Sequence, residues 1–332
     1  MRHDPLDASP ADDRAFHVVR DGEAVPEGLR GAVVAIGNFD GVHRGHRALI
    51  DAARRVAGEA GRPAAVLTFE PHPRRFFSPE APLFRLTPEP EKLLLLRRFG
   101  LQGAFVRRFD AALAGLSAEA FVGQLLRGDL RVSGVVVGHD FHFGRGREGT
   151  PPRLEALARE LGLACTIVAA ITTEGEPVSS SAIRRALEAG DVARANALLG
   201  YRWFVQGEVR HGAKRGRTLG YPTANLSLPE DCGLRHGIYA VRMRLADGRT
   251  MPGVASFGRR PTFDDGAPLL ETFLFDFGGD LYGQVVRVEL VAWIRGEERF
   301  ASAEELVARM NRDSQEARAH LARSDGAVSM IA

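Results

Sequence analysis

Cysteine is almost missing: Cys165 and Cys232 are the only two among 332 residues. They are too far apart to suggest a metal cluster or a disulfide framework, and this usage predicts a reducing, cytoplasmic setting. Both read as small buried apolar side chains. Long hydrophobic runs are also missing. No stretch reaches the roughly 18 uncharged apolar residues of a membrane span, so none is expected. Neither sign of charge is in excess, with 44 Lys and Arg against 42 Asp and Glu, a formal net charge of +2. A dedicated nucleic-acid binder would carry a basic stripe, so nucleic acid is not an expected partner. The first residues lack a basic start followed by an apolar stretch. Asp4, Asp7, Asp12 and Asp13 make residues 1–13 read as a solvated tail rather than a secretory signal.

What remains is ordinary globular composition, 45% hydrophobic and 26% charged, which excludes disordered, collagen-like and coiled-coil chains. At roughly 150 residues per domain the length predicts about two domains. The pattern changes near residue 200, so the expected bounds are 14–199 and 200–324, with 325–332 a second tail.

The first part alternates. Strand-like runs at Ala32–Gly37, Ala64–Phe69, Ala104–Val106, Val132–Gly138 and Ala164–Ala169 are separated by helical patterns. Those patterns cover 45–58, Pro90–Phe99, a helix capped by Ser117 and running through Phe121 and Leu125, and Pro151–Leu161. This alternation predicts an α/β, Rossmann-like domain with a parallel sheet, whose ligands bind beyond the carboxyl ends of the strands. Two short helical pieces over Ile183–Leu199, broken at Gly190-Asp191, join the parts. Strand-like runs then follow one another directly: Trp203–Val209, Ile238–Leu245, Met251–Phe257, Leu270–Phe277 and Val285–Trp293. An antiparallel barrel or sandwich is expected. A terminal helix opens on the capping box Ser302 and Glu305.

Chemistry concentrates first at Gly37-Asn38-Phe39-Asp40-Gly41-Val42-His43-Arg44-Gly45-His46, directly after a core strand. A strand end, a glycine-punctuated turn and a helix start make an anion site. His43 and His46, three apart, can face one phosphate and donate to developing negative charge. Gly45 would let a nucleotide approach the helix closely. Three further segments stand out in the first part: Thr68-Phe69-Glu70-Pro71-His72-Pro73, Gly138-His139-Asp140-Phe141-His142-Phe143-Gly144, and Ser179-Ser180-Ser181-Ala182-Ile183-Arg184. In the second part, His211-Gly212-Ala213-Lys214-Arg215-Gly216-Arg217-Thr218-Leu219-Gly220 is a glycine-rich basic loop suited to phosphates. Pro222-Thr223-Ala224-Asn225 follows it, and Thr223 and Asn225 face the same side of an extended chain as hard oxygen donors.

The order and spacing of these segments resemble the bacterial bifunctional riboflavin kinase/FAD synthetase family over about residues 16–322. The first turn is similar to the nucleotidyltransferase signature, and Arg217 to Asn225 resembles the riboflavin kinase signature. Downstream matches include Gly237-Ile238-Tyr239-Ala240, Arg260-Pro261-Thr262-Phe263 and Glu271-Thr272-Phe273. The resemblance implies riboflavin, FMN and ATP as substrates and Mg²⁺ as cofactor. It implies Glu271, His43 and His46 as catalytic residues and Thr223 and Asn225 as metal ligands. Nucleotide contacts would come from Gly37, Asn38, Phe39, Asp40, Gly45, Ser179, Ser180, Ser181, Arg184, Gly212, Arg217, Gly220 and Pro222. Flavin contacts would come from Asp140, Phe141 and Phe143. Ser181, Ala182, Ser256 and Phe273 depart from the residues usual in that family. A monofunctional enzyme, and a nucleic-acid binder sharing the His-x-Gly-His turn, are the other readings. Oligomeric state stays open.

Overall fold

The computed structural model describes residues 15–173, 175–211, 220–259 and 268–324. Backbone contacts divide the chain into two compact units between Ser180 and Ser181.

In unit 1 six strands run parallel: β1 (His17–Val19), β2 (Val33–Ile36), β3 (Ala64–Glu70), β4 (Gly103–Arg108), β5 (Gly134–Gly138) and β6 (Ala164–Val168). Their order is β1-β4-β3-β2-β5-β6. The apolar runs Val33–Ile36 and Val135–Val137 are buried on both faces, as a parallel sheet requires. The chain steps from β2 through β3 to β4 in one direction and then returns to the far side of β2 with β5. That reversal places a crevice at the carboxyl ends of β2 and β5, where ligands bind in such sheets. Strand β1 is a short addition at the edge. It docks because Gly103 has no side chain: a Cβ there would lie 2.5 Å from the His17 carbonyl oxygen.

The helices of unit 1 are α1 (Arg44–Glu59), α2 (Pro73–Phe77), α3 (Glu89–Arg98), α4 (Ala111–Ala114), α5 (Ala118–Ala120) and α6 (Pro151–Glu160). All but α3, which starts after Pro88 without a side-chain cap, begin where a side chain satisfies a free backbone N–H. His43 caps α1, Ser117 caps α5 and Thr150 caps α6. The helix expected after Ser117 is present, but beyond Ala120 it widens into a π-helical stretch over Phe121–Asp129. A hairpin, β7 (Thr172–Thr173) and β8 (Glu176–Pro177), ends the unit.

Helix α7 (Ser180–Ala189) carries the chain across the division, and α8 (Val192–Leu199) follows. Asp191 caps α8 through the Arg194 N–H at 3.0 Å, and left-handed Gly200 ends it. Asn196 of α8 donates to the Leu290 carbonyl and accepts from the Trp203 N–H. The two helices therefore pack with unit 2, although the composition changes only near residue 200.

Unit 2 is one antiparallel sheet of β9 (Phe204–Glu208), β10 (Thr223–Ser227), β11 (Gly237–Arg244), β12 (Thr250–Arg259), β13 (Pro268–Leu274) and β14 (Val285–Arg295), ordered β10-β13-β12-β11-β14-β9. The Arg210 N–H bonds the Asn225 carbonyl at 3.0 Å, bringing the two ends of the sheet together into a barrel. Helix α9 (Ala303–Ser324) buries Ala317 and Leu321 against Ala240 and Phe275. Ser302 caps it as expected through the Glu305 N–H, while the Glu305 carboxylate reaches one residue further back, to the Ala301 N–H at 3.1 Å.

Candidate active sites

In unit 1 the turn after β2 is held in a costly shape. Phe39 and Val42 adopt φ of 50° and 32°, a region that non-glycine residues avoid. His43 Nδ1 accepts the His46 N–H at 3.3 Å. A neutral His43 therefore carries its proton on Nε2. The two imidazoles stack at 3.7 Å between centroids. The Gly45 space is filled by this arrangement: a Cβ there would sit 3.1 Å from the His43 ring and 3.6 Å from the Val178 carbonyl oxygen. Glycine is thus needed so that the His43 ring and the serine segment can close on the helix. Ser180 Oγ donates to the Asp40 carbonyl at 2.8 Å, which brings that segment to the turn. Ser179 precedes Ser180, and Ser181 and Arg184 continue along α7.

A polar network lies under the turn. Asp40 Oδ1 accepts the Thr87 N–H at 3.1 Å, and the Gly41 N–H donates to Thr87 Oγ1 at 2.8 Å. Arg85 grips Glu70 with two hydrogen bonds, at 3.1 and 2.8 Å, and Lys92 reaches the same carboxylate at 2.6 Å. Burial alone would raise the Glu70 carboxyl, but the hydrogen bonds and charges of Arg85 and Lys92 outweigh it and hold it below its ordinary range. His46 is driven well below the usual histidine range by desolvation, and then by the nearby His43 and Lys92. It is a neutral ring near pH 7, with Nδ1 buried and without a partner among the described residues.

At the end of β5, Asp140 is exposed, Phe141 half-buried, and Phe143 only 6% exposed. Phe143 packs on Phe121 in the core and stacks under Phe141 at 5.5 Å. Its ring is a support for Phe141 rather than an open surface. An aromatic cluster at the ends of β3 and β4 escaped the sequence reading. Phe76 and Phe77 of α2 pack edgewise on Phe109, with Phe77 67% exposed. The adjacent pair Phe76-Phe77 just after Pro73 was the available signal. Lys92 escaped too, and nothing local marks it, because lysine in a helix is ordinarily solvated.

In unit 2 the ladder sets a row across three strands: Asn225 of β10 faces Glu271 of β13, which faces Ser256 of β12. Thr223 faces Phe273, two pairs along. Glu271, Thr223, Ser256 and Phe273 open onto a cavity of about 360 Å³ that Tyr221, Arg295 and α9 residues Leu306 and Met310 also line. Ser256 and Phe273, which depart from the family pattern, thus border the cavity beside Glu271. Asn225 is 4% exposed, and its Oδ1 is buried without a hydrogen-bond partner among the described residues. Such an atom suits a ligand that supplies positive charge. Pro222 and Gly220 lie just before β10, both exposed. Gly212 and Arg217 fall outside the described residues, as does Arg260-Pro261-Thr262-Phe263.

A parallel sheet with paired histidines at its switch point, in the same chain as a barrel with a carboxylate facing a cavity, defines a two-part nucleotide-dependent transferase. A family model described as FAD synthetase matches residues 25–182, and one described as riboflavin kinase matches 199–321. The bifunctional riboflavin kinase/FMN adenylyltransferase of Escherichia coli strain K12 is 41% identical over 288 residues, covering 87% of this chain and 92% of that protein. The protein of the same name from Bacillus subtilis strain 168 is 36% identical over 313 residues, covering 92% and 97%. A crystal structure named as a macrolide-efflux protein from Streptococcus pneumoniae matches with a TM-score of 0.81 and 30% identity, over 91% of this chain and 98% of that one. Among the described residues no helix is long and apolar enough to cross a membrane. The chain belongs to the bifunctional riboflavin kinase/FMN adenylyltransferase family.

Proposed function

We propose that this chain carries out two successive ATP-dependent transfers, riboflavin to FMN in unit 2 and FMN to FAD in unit 1. The adenylyltransferase part begins near residue 14 and the kinase part ends near 324, and the bound near 199 expected from composition lies beyond the division between Ser180 and Ser181. The observation that carries the reading is convergence. Segments scattered along the sequence meet at one place in each unit: Asp40, His43, His46 and Ser180 in unit 1, and Thr223, Asn225, Glu271 and Ser256 in unit 2.

In unit 2 the riboflavin 5′-hydroxyl oxygen attacks the γ-phosphorus of ATP. The bond to the β–γ bridging oxygen breaks, ADP leaves, and the hydroxyl proton passes to the Glu271 carboxylate. Thr223 and Asn225 fit an Mg²⁺–nucleotide, since the buried Asn225 Oδ1 has no other partner among the described residues. Mg²⁺ supplies charge neutralisation on the phosphates. Gly212, Arg217, Gly220 and Pro222 belong to the segment assigned to covering them.

In unit 1 an FMN phosphate oxygen attacks the α-phosphorus of ATP, the bond to the α–β bridging oxygen breaks, and pyrophosphate leaves. The attacking phosphate is already ionised, so positioning and charge stabilisation dominate. His43 Nε2–H and the neutral His46 donate hydrogen bonds to the phosphates. Gly37, Asn38, Phe39, Asp40 and Gly45 shape the nucleotide turn, with Ser179, Ser180, Ser181 and Arg184 beside the phosphates. Asp140 and Phe141 contact the flavin, with Phe143 beneath.

Chromatography of flavins after mixing the protein with riboflavin, ATP and Mg²⁺ tests this. FMN is expected first and FAD second. Glu271→Gln should slow FMN formation by about 10²- to 10⁴-fold while supplied FMN still becomes FAD. His46→Ala should stop at FMN. A wild type that never passes FMN overturns the assignment of unit 1, and unchanged riboflavin overturns both.

A further inference from the structure

We propose that Lys92 is a positioning residue for adenylyl transfer, its buried ammonium holding the Asn38 carbonyl and thereby the left-handed turn that presents His43 and His46. This rests on the reading of unit 1 as the FMN-adenylylating part.

Lysine is almost never buried unless paired, yet Lys92 is 1% exposed. Its ammonium has three N–H donors, and three acceptors surround it: the Asn38 carbonyl at 3.2 Å, Thr68 Oγ1 at 3.3 Å and Glu70 Oε1 at 2.6 Å. Thr68 Oγ1 also donates to the Asn38 carbonyl at 3.2 Å. The carbonyl that opens the nucleotide turn is therefore fixed twice, from α3 and from β3. Glu70 is shared with Arg85, whose Nε lies 3.8 Å from Asp40 Oδ1. Residues 38, 40 and 41 of the turn are each tied to 68–70 or 85–92.

Two considerations separate positioning from plain stability. First, a buried ion pair can often be replaced by well-packed apolar side chains without loss of stability, so stability alone does not call for a lysine at this place. Second, the turn holds Phe39 and Val42 at positive φ, and such backbone persists only where the surroundings over-determine it. The lysine contacts the carbonyl immediately before Phe39. Its charge also acts on the ring that faces the phosphates. Among the described residues the titratable groups bearing on His46 are His43, from the cap of α1, and Lys92, from α3; both oppose its protonation, after desolvation.

The test is Lys92→Met, which keeps the length and removes the charge, leaving Glu70 its Arg85 partner. FAD formation from supplied FMN should fall about 10- to 100-fold in kcat, the loss a displaced reacting group produces, while riboflavin phosphorylation by the same molecules stays within about two-fold. The acid limb of the adenylylation pH profile should move to higher pH, because a positive charge that opposed protonation of His46 is gone. Lys92→Arg should leave that limb where the wild type has it. Unchanged FAD formation in Lys92→Met overturns the proposal, and so does a fall in both activities with the limb unmoved. Should Lys92→Met fail to fold, Thr68→Val carries the test: it should lower FAD formation several-fold and spare the kinase step. Equal FAD formation in Thr68→Val and wild type then overturns it. A wild type that makes no FAD from FMN marks instead a failure of the underlying reading.

Discussion

A single buried oxygen in unit 2 separates binding from stability. Asn225 Oδ1 has no partner among the described residues although the side chain is 4% exposed. An unmade buried hydrogen bond costs about 1–3 kcal/mol. A residue that carries this cost is placed for something other than folding. Asn225→Leu should therefore leave the thermal midpoint equal or higher, while riboflavin phosphorylation falls by at least about 10²-fold, the scale of losing a group that stabilises reacting phosphates. Calorimetry and the flavin assay on one preparation check both halves. Thr272, fully buried with its Oγ1 likewise unpartnered, supplies the comparison. Its cross-strand neighbours are Ala224 and Ala255. Thr272→Val should raise stability by roughly 1 kcal/mol with phosphorylation unchanged. A lower midpoint in Asn225→Leu would mean that the oxygen serves the fold instead.

At the scale of elements, what the sequence reveals depends on how local the cause is. Hydrophobic runs such as Val33–Ile36 and Ala64–Phe69, and caps such as Ser117 and Ser302, are local causes, and the elements they predict are present. Strand β1 has only three residues and exists through its pairing with β4. Strand β10 is polar, Thr223 to Ser227, and is fixed by its ladder with β13; neither can be read from its own residues. The same holds for Lys92, whose burial comes from β3 and the turn. The wall of the unit 2 cavity is another long-range product. Arg295 of β14 grips Asp313 of α9 through two hydrogen bonds, at 2.9 and 2.7 Å, and both line the cavity. Removing one partner of a buried pair costs about 3–5 kcal/mol. Here Glu298, 3.8 Å from Arg295, can partly replace the lost carboxylate. Asp313→Asn should thus cost roughly 2 kcal/mol, below that range. It should also raise the riboflavin KM more than it lowers kcat, because it loosens a wall and leaves Glu271 in place. Urea titration and steady-state kinetics measure the two effects.

Over the whole molecule, acid should act unequally on the two units. In unit 1, His46 and Glu70 both have folded-state values depressed below their ordinary ones, near 6.5 and 4.5. A depressed value means that the unfolded chain binds the proton more readily than the folded one. As far as these two groups go, the folded unit is therefore fully favoured above about pH 6.5, and stability drains as pH falls, first through His46 and then, below about pH 4.5, through Glu70. In unit 2 the depressed carboxyls, Asp247 and Glu304, are exposed, and screening leaves them little influence. Heating samples at pH 7.5 and at pH 5.5, then assaying both activities at pH 7.5, separates the units without cutting the chain. The temperature that destroys FMN adenylylation should drop further on acidification than the one that destroys riboflavin phosphorylation. Parallel drops would mean that the two units unfold as one body or that the buried network under the nucleotide turn is not what acid attacks. Lys92→Met decides between these, since with Lys92 gone His46 is easier to protonate in the folded state and the extra acid sensitivity of unit 1 should shrink.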